Sequence, residues 1–129
     1  MIKHVRHDES NFQIGVVHFL RSQGYFVFAV PNGQRLNLLR AKLAVREGLM
    51  SGVSDLIIVL PGKVYFVEIK NPNGKGRQSP TQRDFEDNVR AYGHDYFVWD
   101  NWAQVEQFAN AHRRELGNFL AVGGTNAEE

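Results

Sequence analysis

No cysteine occurs anywhere in the chain. That excludes a disulfide framework, a thiolate metal site and a cysteine nucleophile, and it fits a reducing compartment. No apolar run reaches the roughly 20 residues needed to span a bilayer. The opening MIKHVRHDES carries no apolar segment of signal-peptide type. Neither sign of charge dominates: 15 Lys and Arg stand against 14 Asp and Glu, a net charge of +1. The five histidines, at 4, 7, 18, 94 and 112, show no ligand spacing, and no internal repeat is visible. These absences lead us to expect a soluble, intracellular protein with no membrane partner. They also make the overall charge too mild to announce a nucleic-acid binder.

What is present suits one compact domain. Hydrophobic residues are 43% and charged residues 22% of 129, enough for a normal core. We expect the domain to occupy residues 1–120, with 121–129 as a flexible tail. Asp8 is a candidate N-cap for a helix running to about Gln23, with Phe12, Val16, Phe19 and Leu20 as its apolar stripe. YFVFAV (25–30) reads as a strand ended by Pro31-Asn32-Gly33. Residues 35–47 read as a second helix, with Leu36, Leu39, Leu43 and Ala44 toward the core. DLIIVL (55–60) and KVYFVEIK (63–70) are strands joined by Pro61-Gly62, apolar on both faces as covered central strands are. Ser79 caps a helix to about Tyr92 with Pro80 in its first turn, DYFVWD (95–100) is a further strand, and a helix spans 102–116 with Val105, Phe108, Ala109 and His112 on one stripe. The order predicts an α/β fold, a mixed central sheet flanked by helices on both faces. Trp99 and Trp102 read as core or dimer contacts.

Three charged residues carry the chemistry. Side chains alternate across a strand, so Glu68 and Lys70 share one face. The fold-back at Pro61-Gly62 brings Asp55, at the start of the preceding strand, beside them. Two carboxylates about 4 Å apart repel by roughly 4 kcal/mol at an effective dielectric of about 20. One ammonium offsets part of that and a divalent cation all of it. Asp55 and Glu68 are therefore candidate ligands for Mg²⁺ or Mn²⁺, with the backbone carbonyl of Ile69 as a third oxygen. Lys70 is then placed to orient or deprotonate an attacking water. Gln82, near the start of its helix, can hold that water or a phosphate oxygen. Glu9 and Gln13, one turn apart on the first helix, can reach the same site, Glu9 as a further ligand. The plainer alternatives are a Glu68–Lys70 ion pair at a strand end, Asp55 as a turn residue and Gln82 in solvent. Basic residues gather in two segments, Arg35, Arg40, Lys42 and Arg46 in one, Lys75, Arg77 and Arg83 after Lys70 in the other. They make a candidate phosphate-binding surface, although on charge alone two solvated faces are the commoner reading.

The chain resembles the VRR-NUC domain, a branch of the PD-(D/E)xK nuclease superfamily. The resemblance rests on Glu9 with Gln13, Pro31-Asn32-Gly33, Gly48 through Gly52, Ser54-Asp55-Leu56, Glu68-Ile69-Lys70, Ser79-x-x-Gln82 and the segment from Gly93 to Val98. It runs from about Glu9 to Phe108. Ser54 departs from the proline often found before the metal-binding aspartate. The resemblance implies a restriction-endonuclease-like fold, Mg²⁺ or Mn²⁺ on Asp55, Glu68 and the Ile69 carbonyl, and catalytic roles for Lys70 and Gln82. It implies a homodimeric, structure-selective DNA endonuclease of stand-alone phage or bacterial type, acting on branched DNA such as a four-way (Holliday) junction, in the cytoplasm of a bacterial or phage-infected cell. The rivals are a flap, single-strand or restriction-like nuclease, and a non-catalytic DNA-binding module. Asp55→Asn and Lys70→Ala are expected to abolish cleavage while leaving the fold intact.

Overall fold

A computed structural model describes residues 2–31 and 37–123. Eight elements follow in chain order: α1 (Ile2–Ser22), β1 (Phe26–Ala29), α2 (Leu38–Arg46), β2 (Leu56–Leu60), β3 (Lys63–Ile69), α3 (Pro80–Ala91), β4 (Tyr96–Trp99) and α4 (Trp102–Ala121). The strands form one four-stranded sheet in the order β1-β2-β3-β4. The β1–β2 and β2–β3 pairs are antiparallel and β3–β4 is parallel. The expected mixed sheet with helices on both faces is what the chain forms.

Parity along β3 divides the two layers. Tyr65, Val67 and Ile69 face α1 and α4, where they join Phe12, Val16, Leu20, Val105 and Phe108 in the core. Phe108 sits at the centre of an aromatic cluster, with ring centroids 5.3 Å from Tyr65, 5.5 Å from Phe97 and 5.5 Å from Trp99. His112 stacks on it at 4.4 Å. Trp102 packs edge-on against Phe12 and Phe19 of α1, in a gap left by Gly15, where an added Cβ would come within 3.0 Å of the indole. The opposite face of β3 presents Phe66 and Glu68 to α3, through Phe66–Phe85 and Phe85–Tyr96 ring contacts at 5.8 and 6.1 Å.

Local chemistry accounts for the element ends that bear on function. The β2–β3 connection is a two-residue hairpin between Leu60 and Lys63, with Gly62 at φ 71°. Ser79 caps α3 through a capping box: its hydroxyl accepts from the Gln82 N–H, and Gln82 Oε1 accepts from the Ser79 N–H at 2.8 Å. At the sheet edge, the Val30 N–H donates to Asp55 O. The alternation of bonded and non-bonded pairs then turns the Val27 carbonyl outward. The Arg21 guanidinium covers it with two hydrogen bonds at 3.0 and 3.2 Å, which blunts this edge against strand addition.

Four sequence expectations need correction. Asp8 does not cap α1, because the helix begins at Ile2 and passes through it; no Gly or Pro interrupts residues 2–7. α4 runs to Ala121, five residues past the expected end at 116. The strands of 25–30 and 95–100 are trimmed to four residues each. α2 contributes no buried residue: Leu39 is 78% and Leu43 46% exposed, since α1, α4 and α3 already fill both faces of the sheet. Arg35, Leu36, Asn32 and Gly33 lie outside the described residues, as do 124–129. None of the described helices is long and apolar enough to cross a membrane.

These contrasts are measurable. Phe108→Ala is expected to cost about 3–5 kcal/mol in denaturant unfolding, whereas Leu39→Ala should stay within about 0.5 kcal/mol. Comparable losses from both would place α2 in the core and contradict its exposure.

A carboxylate cluster at the end of the sheet

The site forms where β3 ends and β2 begins. The register that pairs Leu56 with Val67 sets Asp55 opposite Glu68, so their side chains leave the same face of the sheet. That is the face covered by α3. Asp55 Oδ2 accepts the Ile69 N–H at 2.7 Å, which ties the start of β2 to the end of β3. It is the Ile69 N–H, rather than its carbonyl, that the structure records against the carboxylate.

Glu68 is fully buried. An unpaired carboxylate in such a place would cost several kcal/mol, and its partners explain how it is tolerated. Oε1 accepts from Tyr96 Oη at 2.7 Å and Gln78 Nε2 at 3.1 Å. Oε2 lies 2.8 Å from Lys70 Nζ, an ion pair whose angles fall outside those of a hydrogen bond, and it has no other polar partner among the described residues. Two of the three ammonium protons go to the Arg77 carbonyl at 2.9 Å and Gln82 Oε1 at 3.0 Å. Both observations hold together. The Glu68–Lys70 contact is an electrostatic pair, and it leaves a lone pair of Oε2 open.

Gln82 thus has two functions. The capping box that starts α3 also fixes the amide oxygen that holds Lys70. Gly52 sets the approach of this helix: at φ 84°, an added Cβ would fall 2.2 Å from Thr81 O and 2.7 Å from Gln82 N. The loop after α2 therefore lies directly on the first turn of α3, and only glycine permits it.

A second shell of residues was not foreseen from sequence. Gln78 Nε2 bridges Glu68 to Glu86 Oε1 at 2.8 Å. Arg90 holds Glu86 Oε2 at 2.8 Å and the Tyr96 carbonyl at 2.8 Å. Tyr96, Gln78, Glu86 and Arg90 together lock one oxygen of Glu68 and leave the other for the site. Burial and the bond to Glu68 push the Tyr96 phenol far above its usual range, so it donates at any pH of interest. The sequence signal was slight: a tyrosine in an otherwise apolar strand, on a register that only the β3–β4 pairing reveals.

The charges do not balance. Burial raises the Asp55 carboxyl above its ordinary 3.8; the Ile69 N–H opposes this, Glu68 adds to it and Lys70 lowers it. Glu9, on α1, is raised by burial and by Asp55, with Lys70 opposing and Glu68 adding. Three carboxylates thus feel one ammonium. Among the described residues, no group of three or more His, Asp or Glu side chains is arranged to hold a metal, so Glu9 contributes field to the site and does not complete a three-side-chain cluster. Two carboxylates remain, one with an open buried oxygen. An all-oxygen donor set of this kind fits a hard dication that keeps several waters. Gln13 is half-buried on the α1 surface, lining a separate groove with Ser10 and His18.

A cleft of about 460 Å³ opens beside Asp55 and Gln82, walled by α2, the end of β1 and the 49–53 loop. A wider groove of about 730 Å³ between Pro61 and α4 lies at the other end of the strands and holds none of these carboxylates. The side chains of Arg40, Lys42, Arg46, Lys75, Arg77 and Arg83 are all exposed. They stand on the three elements that border the site: α2, the 70–78 loop and α3.

Lys70→Ala is not the neutral probe expected from sequence, because it would leave Glu68 buried without its ammonium, at a cost of about 3–5 kcal/mol. Searches among protein-family models, curated proteins and solved structures returned no match.

The raised Asp55 carboxyl has a thermodynamic consequence. A group that binds its proton more tightly when folded stabilises the fold below about 3.8 and loses that contribution as pH rises through its folded value. Asp55→Asn keeps an acceptor for Ile69 and removes the buried charge. In EDTA at pH 7 it should melt higher than the wild type, and the gap should close as pH falls toward 4. A lower melting point for Asp55→Asn at pH 7 would contradict the burial argument.

Proposed function

We propose that the protein is a metal-dependent, structure-selective DNA endonuclease that hydrolyses phosphodiester bonds as a homodimer, most fittingly at four-way junctions. The observation that carries this is the buried Glu68 carboxylate, whose Oε2 has Lys70 Nζ at 2.8 Å as its one polar partner among the described residues, set opposite Asp55 so that two carboxylates face one ammonium. Such a cluster repels a phosphate unless a cation joins it, and it is flanked by exposed lysines and arginines that attract a polyanion.

Asp55 and Glu68 are the residues that would hold Mg²⁺ or Mn²⁺, with the Ile69 carbonyl and solvent completing the oxygen set. When bound there, the dication supplies an acidified water and neutralises charge building on the phosphate. The chain's own residues do the rest. Tyr96 and Gln78 hold Glu68 in one rotamer, so its free oxygen keeps its aim. Lys70, anchored by Gln82 and the Arg77 carbonyl, orients the attacking water and offsets negative charge on the phosphoryl oxygens in the transition state. Arg40, Lys42, Arg46, Lys75, Arg77 and Arg83 hold backbone phosphates and read shape in place of base sequence. Two copies related by a two-fold axis match the symmetry of a junction that must be nicked on two strands. The ordered motifs shared with VRR-NUC domains support the same reading.

The test is a panel of labelled four-way junctions, flaps, linear duplexes and single strands, incubated with Mg²⁺, Mn²⁺ or EDTA. Cleavage of junctions in either metal, none in EDTA and slower cleavage of linear duplex are expected. Asp55→Asn should lower the rate by at least about 10²-fold. Tyr96→Phe should lower it by about 10–100-fold, with metal affinity weakened in step. Junction binding without cleavage in either metal would leave a DNA-binding module. Equal rates on junction and linear duplex would remove the junction preference.

A further inference from the structure

The cleft beside Asp55 is unlike the rest of the basic surface. Its lining mixes apolar and polar groups: Val30, Val45, Leu49, Met50 and Val53 are the larger apolar side chains, and Asp55 is the one charged residue named among them. Ser51, Ser79, Thr81 and Gln82 supply polar groups, and among the described residues no lysine or arginine lines it. Among the described residues a phosphate would find no cation there. A flat, uncharged group with hydrogen-bonding edges would find both apolar walls and polar partners.

α2 makes the division plain. Ala41 and Val45, one turn apart, form a wall of the cleft, while Arg40, Lys42 and Arg46 on the same helix are exposed outside it. An apolar patch on the cleft side, with cations as well as the exposed Leu38, Leu39 and Leu43 outside it, fits a nucleic-acid strand laid along the rim with one base turned in. The cleft shares Asp55 and Gln82 with the carboxylate site, so a base held there belongs to a nucleotide adjoining the phosphate at that site. A base inside intact duplex cannot enter, because it is stacked and paired.

We propose that this cleft is a nucleobase site, and that the substrate class is DNA with an unpaired or readily unstacked nucleotide next to the scissile phosphate. This rests on the nuclease reading above and narrows it. Selectivity for branched DNA then comes from the ease of turning one base out, beyond the shape of the branch.

The experiment uses the whole protein and a junction or flap carrying 2-aminopurine at the nucleotide flanking the cut. Binding is followed by anisotropy in EDTA and, separately, cleavage in Mg²⁺. The base should leave its stacked neighbours, and its fluorescence should rise severalfold on binding, with no rise when the probe sits inside a duplex arm. Val45→Trp, which adds an indole to the wall from an exposed helical position, should suppress the rise and weaken binding of the unpaired substrate about tenfold, while binding of blunt duplex stays within twofold. Binding with unchanged fluorescence at the flanking position would overturn the base site and leave the nuclease reading standing. A fluorescence rise without cleavage in any metal would uphold the base site and overturn the nuclease reading. No binding to any DNA would overturn both.

Discussion

The structure turns on a carboxylate that has no business being dry. Glu68 sits at the end of a central strand, fully enclosed, and burial of a lone carboxylate is among the more costly events in folding. The fold tolerates it by dividing the two oxygens. One is saturated by the Tyr96 hydroxyl and the Gln78 amide. The other meets only the electrostatic contact with Lys70 and keeps a lone pair open. Two ammonium protons go to the Gln82 amide oxygen and the Arg77 carbonyl, which fixes Lys70 beside Glu68.

The surrounding architecture follows from that constraint. The α1 and α4 face of the sheet carries the aromatic core centred on Phe108 and bears the stability of the fold. The α3 face carries the Asp55, Glu68 and Lys70 cluster. α3 is fixed at its start by the Ser79–Gln82 capping box and by the contact with Gly52. In its middle it is fixed by the Glu86–Arg90 pair, which reaches back through Gln78 to Glu68. The helix that delivers Gln82 to Lys70 is thus the same helix whose later turns aim Glu68. The geometry of the cluster is coupled through one element, so a substitution at Arg90 is expected to act on Glu68 without touching it.

Much of this was legible in the sequence where the rules are local. Strand alternation placed Glu68 and Lys70 on one face, Pro61-Gly62 placed the hairpin, and Ser79 with Pro80 placed the start of α3. The mixed sheet with helices on both faces followed from the element order. The rest depended on long-range choices. Asp8 has strong capping propensity, but nothing breaks the helix before it, so propagation carries on through. The leucines of α2 look like core residues in isolation; they stay outside because the other three helices already cover the sheet. Tyr96 could not be assigned to Glu68 without the β3–β4 register, and Gln78 reads from sequence as one more polar loop residue. Of the basic residues proposed to hold phosphates, Arg40, Lys42, Arg46, Lys75, Arg77 and Arg83 are exposed on elements that border the cluster, while Arg35 lies outside the described residues.

The central claim is that the open oxygen of Glu68 and the carboxylate of Asp55 share one hard cation. Crystals soaked in Mn²⁺ and measured at the manganese absorption edge test it most directly. The account predicts a single strong anomalous peak bonded to both carboxylates, absent from Asp55→Asn crystals treated alike. Crystals at the same Mn²⁺ concentration with both carboxylates ordered and no manganese touching either would contradict it.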